Sequence, residues 1–220
     1  MIDYKNLIED GVTMVLPMCF ETIINHKENI AQLKGDIVEC GVWKGGFSIF
    51  LASTFKDKNI WVADSFDGFQ PLSESKYSYS AERHHPDYSS MIRVSLEEVK
   101  ANFKKYNLEE DRIKFLKGFV KDTLPKANIK NISLLRIDVD AYSATLEVLD
   151  ELYDKVVPGG YIIFDDSCLH ESLNAIKTFF KQRNISPYLF HPSTDQRLSL
   201  DLNFSSEDSL YPTGCYIIKE

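Results

Sequence analysis

The sequence predicts an α/β protein built on an open, doubly wound, mostly parallel β-sheet. Five short apolar segments show little of the alternation expected of a strand with one solvated face, and helical patterns separate them along the chain. Strands covered on both faces are typically near-continuous apolar runs, and alternating strands and helices favour a parallel sheet. The length of 220 residues leads us to expect one domain over residues 1–220, since domains commonly have about 150 residues.

The predicted strands of the parallel sheet are short and evenly distributed. They are Asp36–Gly41, Asn59–Asp64, Arg112–Leu116, Ser133–Asp138 and Tyr161–Asp165. Two further strands are predicted near the C-terminus, at Tyr188–Phe190 and Cys215–Ile218. The polar run between these two has turn residues and little periodicity, which is typical of a loop.

Helices are predicted between the strands, where apolar residues recur at three- and four-residue steps. Ser95 and Glu98 form a capping box that begins one such helix. A second stripe runs from Leu146 to Val156, and Pro158-Gly159-Gly160 is expected to end that helix before the next strand. A third helix follows the first strand at Gly46–Phe55, a fourth stripe includes Leu173 to Phe180, and residues 1–34 are expected to form a helical N-terminal extension.

Residues 70–90 are polar and aromatic and have no clear period. A loop of this length in a compact domain is usually functional or disordered, so we predict a flap over the functional site. The segment contains His84 and His85, which are candidates for a general base. The alternative is that both histidines are simply exposed.

Composition and charge disfavour several classes of partner. The chain has 25 Lys+Arg and 33 Asp+Glu, a formal net charge of −8, and an acidic protein repels the phosphate backbone of nucleic acids. No stretch reaches the roughly 18 apolar residues of a membrane span, and the first ten residues lack the pattern of a signal peptide. We therefore expect a cytoplasmic protein with neither nucleic-acid nor membrane partners. The four cysteines are scattered, so neither a zinc site nor a disulfide framework is indicated.

A glycine-rich segment, Val38–Gly46, covers the turn from the first predicted strand to the next helix. Glycines let the backbone turn sharply and approach a ligand, and the N-terminus of the next helix offers free N–H groups. In doubly wound folds nucleotides bind at this edge of the sheet. The spacing G-x-x-x-G-G differs from the dinucleotide pattern G-x-G-x-x-G, which disfavours a nicotinamide cofactor. A plain glycine turn remains the alternative.

Asp64 ends the second predicted strand, 23 residues after Gly41. An acidic residue about 20 residues beyond a glycine turn is well placed to accept hydrogen bonds from ribose hydroxyls. Alone it could cap a helix, because Ser65 and Asp67 lie beside it. Together with the glycine turn it favours a ligand that contains a nucleoside.

Four carboxylates follow two neighbouring strands of the predicted sheet. Asp138 and Asp140 lie at the end of the fourth strand, and Asp165 and Asp166 at the end of the fifth. The carboxyl ends of parallel strands meet at one edge, where mutual repulsion is costly unless a cation or hydrogen bonds compensate it. Carboxylate oxygens are the ligands that Mg²⁺ prefers. The alternative is a set of helix caps beside a solvated rim.

Taken in order, these motifs resemble the macrocin O-methyltransferase family of the TylF/MycF/NovP type. The matching segments run from about Gly35 to Asp166: GDIVECGVWKGG, VADSFDGF, VSLEEVKANFKKY, KGFVKDTLP and LLRIDVDAYSATLEVLDELYDKVVPGGYIIFDD. The resemblance implies a Rossmann-like class I methyltransferase fold with an antiparallel C-terminal strand. It also implies that S-adenosylmethionine and Mg²⁺ are used to methylate a hydroxyl of a sugar or glycosylated natural product, in a homodimer or higher homo-oligomer.

The resemblance also assigns roles to residues at matching positions. Asp140 would be the general base. The cofactor would contact Glu39, Gly41, Gly45, Asp64, Ser65 and Phe119, and the metal ligands would be Asp138, Asp165 and Asp166. The chain departs from the family pattern at Val139, where a glycine is common, and at Ala141, where a bulkier residue is common. These departures leave the acceptor unidentified.

Two other functions stay open from the residues alone. An apolar run followed by Asp138 and Asp140 is also how haloacid-dehalogenase-type, Mg²⁺-dependent phosphatases present a nucleophile and an acid, although in them the motif normally lies on the first strand. The chain could also bind a cofactor without catalysing a reaction, but such a protein has no evident use for Asp140.

Overall fold

A computed structural model describes residues 1–71, 77, 90–202 and 211–220. Its strands are β1 (Asp36–Cys40), β2 (Ile60–Asp64), β3 (Ile113–Lys117), β4 (Ile132–Ile137), β5 (Val156–Phe164), β6 (Tyr188–Phe190), β7 (Arg197–Ser199) and β8 (Cys215–Ile218). Its helices are α1 (Tyr4–Glu9), α2 (Pro17–Gln32), α3 (Gly46–Thr54), α4 (Leu96–Lys105), α5 (Val120–Thr123), α6 (Tyr142–Leu152) and α7 (His170–Gln182). Two short 3₁₀ turns follow α5 and α6, at Leu124–Lys126 and Tyr153–Lys155.

The strands of the described residues form one eight-stranded sheet in the order β3-β2-β1-β4-β5-β8-β6-β7. Strands β1 to β5 are parallel, whereas β8 runs antiparallel to β5 and to β6, and β7 antiparallel to β6. The chain order reverses direction between β1 and β4, and such a switch point is where ligands bind in doubly wound sheets. The predicted fold class is confirmed, including the antiparallel C-terminal strand.

The sequence places the end of α6 and the start of β5 too late, and it misses one strand. Strand β5 begins at Val156 rather than Tyr161, because Val156 pairs with Ile132 of β4 and the Gly159 N–H donates to the Lys219 carbonyl at 2.7 Å. The Pro-Gly-Gly segment therefore lies inside a strand. Strand β7 falls in the run interpreted as a loop, because Arg197–Ser199 is mainly polar and lies among turn residues, whereas the equally short β6 is aromatic and aliphatic.

The sheet is buried on both faces, as its apolar strands predict. Along β1, Ile37 packs into the cluster formed by α2, α3 and α4, and Val38 into the cluster under α6 and α7. Aromatic side chains fill both layers, among them Phe50 and Phe179. Full burial of such a side chain contributes about 1.5–3 kcal/mol, so the two layers hold the strand ends rigidly in place.

Helix α2 is fixed to the C-terminal strands by polar contacts. The Thr22 hydroxyl donates to the Pro192 carbonyl at 2.8 Å, and His26 Nε2 lies 3.2 Å from Asp195 Oδ1. The Tyr216 hydroxyl also donates to Asp195 Oδ1, at 2.7 Å. These contacts hold α2 and β8 against the segment between β6 and β7.

Two expectations about composition can be compared with the structure. No helix in the described ranges has the length and apolar character needed to cross a membrane. All four cysteines are free thiols, and burial raises the pKa of Cys215 to about 11.

The end of β1 is predicted to tolerate no side chain at Gly41. Its φ is 82°, and a Cβ there would lie 1.6 Å from the carbonyl oxygen of Asp138. Gly11 is the matched control, because its φ is 66° and a Cβ there meets nothing within 4 Å. In urea unfolding we expect Gly11→Ala to lose about 1–2 kcal/mol and Gly41→Ala about 3 kcal/mol or more. Equal losses would contradict the close approach of β1 to β4.

Candidate active site

A cavity of about 380 Å³ opens at the carboxyl ends of β1, β2, β4 and β5. Its walls come from the N-terminal segment Thr13–Leu16, the turn after β1, and the turns after β2, β4 and β5. The volume lies in the range of small-molecule sites, about 300–1,000 Å³. The cavity therefore coincides with the switch point of the sheet, where the sequence predicts a nucleoside-containing ligand.

Most of the residues predicted to contact a cofactor line this cavity: Glu39, Gly41, Asp64, Ser65 and Phe119. Gly45 is placed elsewhere. It precedes α3 with φ 83°, and a Cβ at this position would lie 2.8 Å from Val99 Cγ1 and 3.2 Å from Phe103 Cε2. Its missing side chain lets α4 pack against this turn.

Asp64 ties together the turns that follow β1 and β2. Its Oδ2 accepts from the Val42 N–H at 2.7 Å and its Oδ1 from the Phe66 N–H at 2.8 Å. Burial raises the pKa of Asp64, and the hydrogen bonds from these two N–H groups oppose that rise. Each carboxylate oxygen can accept more than one hydrogen bond, so Asp64 can also bind a ligand hydroxyl.

Two bulky residues beside Asp64 have left-handed backbone. They are Trp43, with φ 48°, and Phe66, with φ 55°. Such conformations are strained and persist only where the surroundings impose them. The hydrogen bonds to Asp64 impose them here, and they shape the cavity wall on the β1–β2 side.

Three carboxylates meet on the floor of the cavity. Asp138, Asp140 and Asp166 each offer an oxygen, and these oxygens lie within 4.8 Å of one another. The Asp140 N–H donates to Asp166 Oδ2 at 2.8 Å, which holds Asp140 in left-handed backbone at φ 57°. Burial raises the pKa of Asp166, and the neighbouring Asp140 and Asp138 raise it further. This donor set suits a hard divalent cation, which would relieve the repulsion.

Arg136 lies beneath these carboxylates and was missed by sequence reasoning. Its side chain is 0% exposed. Nη1 lies 2.6 Å from Glu39 Oε1 and 2.8 Å from Asp138 Oδ2. Nη2 lies 2.5 Å from Asp165 Oδ1, an ion pair without the alignment of a hydrogen bond. One guanidinium therefore contacts carboxylates from β1 and from the ends of β4 and β5.

The register of the sheet explains this convergence. Glu39 of β1 lies opposite Arg136 of β4, and Asp138, two residues later, is on the same face as Arg136. The signal in the sequence was a charged residue inside an otherwise apolar strand, Leu134-Leu135-Arg136-Ile137. A buried Arg almost always has a partner, but the sequence does not identify the partner.

The structure groups the predicted metal ligands differently from the sequence expectation. Asp138 and Asp166 come together as expected, and Asp140, predicted as a base, joins them. Asp165 lines the cavity but directs Oδ1 to Arg136. Glu39 also lines the cavity, with Oε1 on Arg136 and Oε2 accepting from the Ser48 hydroxyl. The two histidines of the predicted flap, His84 and His85, lie outside the described residues.

Comparison with known proteins gives consistent results. The family model for macrocin-O-methyltransferases (TylF) matches residues 10–194. The mycinamicin III 3''-O-methyltransferase of Micromonospora griseorubida is 37% identical over 159 residues, which are 69% of this chain and 63% of that protein. The 8-demethyl-8-(2,3-dimethoxy-alpha-L-rhamnosyl)-tetracenomycin-C 4'-O-methyltransferase of Streptomyces olivaceus is 34% identical over 176 residues, 78% of this chain and 66% of that protein. The chain thus spans less than two thirds of the length of these relatives.

A solved structure is similar to this chain in fold as well as in sequence. The O-methyltransferase NovP superimposes with a TM-score of 0.72 at 32% sequence identity, covering 91% of this chain and 76% of that chain. Together with the strand order, this similarity identifies the fold as the Rossmann-like fold of class I methyltransferases. The resemblance drawn from the motifs is confirmed.

Proposed function

The chain belongs to the macrocin-O-methyltransferase family, and from this premise we propose that it transfers a methyl group from S-adenosylmethionine to a hydroxyl of a sugar or glycosylated natural product. One observation carries the proposal. The cluster of Asp138, Asp140 and Asp166 forms the floor of the cavity that Asp64 borders. A nucleoside on the Asp64 side and an acceptor hydroxyl above the carboxylates would meet in one enclosed space.

The cofactor side of the cavity is the part bordered by β1, β2 and the turn after β3. Asp64 would accept hydrogen bonds from the ribose hydroxyls, and Ser65 lies beside it. Phe119 would lie against the adenine ring, since it lines the cavity just before α5. The acidic floor attracts the positive charge of a sulfonium. These four features together support S-adenosylmethionine as the ligand.

Asp138 and Asp166 are the residues that would hold a divalent cation such as Mg²⁺, because they belong both to the predicted ligand set and to the observed cluster. A bound cation would orient the acceptor oxygen and favour its deprotonated form. Burial raises the pKa of Asp138, with Arg136 lowering it and Asp165 raising it. A cation bound here would stabilise the ionised carboxylate.

Asp140 would accept the proton that the acceptor hydroxyl loses. Its backbone is fixed by the N–H bond to Asp166 and by the tight turn in which Ala141 N donates to the Val139 carbonyl at 2.6 Å. A positioned base contributes about 10²–10⁴-fold to such a reaction. Alignment of the two reactants in the cavity supplies much of the remaining acceleration.

Two observations argue against the phosphatase alternative. Asp138 and Asp140 follow the fourth strand of the chain rather than the first, and the family assignment covers both residues. A homo-oligomer stays a prediction that follows from the family resemblance, and a cytoplasmic location stays a prediction from the sequence.

Methyl transfer is the direct test of this function. We expect the labelled methyl group of S-adenosylmethionine to appear on a member of a panel of glycosylated natural products, and turnover to stop in EDTA and return with Mg²⁺.

Asp140→Asn should lower kcat about 10²–10⁴-fold with little change in the KM for S-adenosylmethionine. Asp67→Asn is the control, because its side chain is 72% exposed. Unchanged turnover in Asp140→Asn would contradict the role of Asp140 as the base. Unchanged turnover in EDTA would contradict a role for the cation in the reaction.

The role of Asp64 is tested by binding alone. Asp64→Asn keeps the shape of the side chain but removes the charge that strengthens its hydrogen bonds. Hydrogen bonds to charged groups are worth about 1.5–3 kcal/mol, so we expect S-adenosylhomocysteine to bind roughly 10- to 100-fold more weakly in calorimetry. Asp67→Asn should bind it like the unmodified protein. Equal affinity of the two variants for S-adenosylhomocysteine would indicate that the ribose does not contact Asp64.

A further inference from the structure

Arg136 has the largest side chain among the fully buried residues of the described chain. A guanidinium removed from water costs several kcal/mol unless charges and hydrogen bonds around it compensate. Here the compensation comes from carboxylates of three strands, and the Phe47 ring lies 4.3 Å from the guanidinium carbon. The group is therefore held from several directions at once.

The contacts of Arg136 are distributed in a specific way. Nη1 is shared between Glu39 Oε1 at 2.6 Å and Asp138 Oδ2 at 2.8 Å, and Nη2 contacts Asp165 Oδ1 at 2.5 Å. Glu39 is itself fixed by the Ser48 hydroxyl. Arg136 thus connects an immobile anchor on β1 to the two carboxylates at the ends of β4 and β5.

Each of these two carboxylates retains a second oxygen. Asp138 uses Oδ2 for Arg136 and Asp165 uses Oδ1, while both residues line the cavity. When Arg136 holds one oxygen of a carboxylate, the orientation of the whole carboxylate group is restricted, and so is the direction in which its second oxygen points. The planar fork of Arg can do this for two partners at once, whereas the ammonium of Lys is a single point charge.

We propose that Arg136 is a positioning residue for the divalent cation: it orients the Asp138 carboxylate towards Asp166 and holds Asp165 at the side of the cluster. This inference rests on the proposed function, because it concerns the cation that Asp138 and Asp166 would hold. Partners that orient metal ligands from behind typically change metal affinity about 10- to 100-fold. If Arg136 only neutralises charge, a Lys at this position would suffice.

The test measures Mn²⁺ binding to the full chain by electron paramagnetic resonance, with no substrate present. We expect Arg136→Lys to weaken Mn²⁺ binding about 10- to 100-fold although it keeps the positive charge. Arg112→Lys is the matched control. Arg112 is also largely buried, but it donates to the carbonyls of Phe55, Lys58 and Ala52 at 2.8–3.1 Å. That variant should lose stability and keep its Mn²⁺ affinity.

A second pair of variants serves if Arg136→Lys does not fold. Phe47→Leu removes the ring that lies against the guanidinium without changing any charge. Phe50→Leu is the control from the same aromatic group, since both rings pack on Phe20 and on each other. We expect weaker Mn²⁺ binding in Phe47→Leu than in Phe50→Leu.

The outcomes separate the two proposals. Mn²⁺ affinities like that of the unmodified protein in both Arg136→Lys and Phe47→Leu would overturn the positioning role and leave the proposed function intact. Absence of Mn²⁺ binding in the unmodified protein would overturn the positioning role and, with it, the cation in the proposed function.

Discussion

The site depends on one buried interaction, the contact of the Arg136 guanidinium with carboxylates from three strands. An unpaired charge at this depth would cost several kcal/mol, so the strands must keep the register that places Glu39 opposite Arg136. A shift of β4 by one residue would turn Arg136 to the other face of the sheet. The same interaction that fixes the register therefore also fixes the floor of the cavity.

The two sides of the cavity are built by different means. On the β1–β2 side, backbone N–H groups converge on Asp64 and hold two strained turns, so a fixed acceptor faces the space where we propose that the cofactor binds. On the β4–β5 side, carboxylates are held together by Arg136 and by the N–H of Asp140. Gly41 allows the two sides to approach, because its Cα lies against the Asp138 carbonyl. The proposed cofactor and acceptor sites would thereby be brought together by the strand ends.

The sequence predicted what depends on the order of the strands. Apolar runs located the parallel strands, and the rule that their carboxyl ends share an edge brought Asp138 and Asp166 together. The sequence could not predict contacts that depend on strand register and side-chain packing. Examples are the ion pair of Asp165 with Arg136 and the close approach of Gly45 to Val99. Strand β7 was missed because its three residues derive their structure from pairing with β6 rather than from a local pattern.

A crystal grown with Mn²⁺ and S-adenosylhomocysteine would show whether the strand ends hold a cation beside the nucleoside, because anomalous scattering locates Mn²⁺ without reference to activity. We expect one anomalous peak coordinated by Asp138 and Asp166, beside a nucleoside whose ribose contacts Asp64, with Arg136 still in contact with the Asp138 carboxylate. A peak away from these carboxylates, or none at saturating Mn²⁺, would contradict this arrangement.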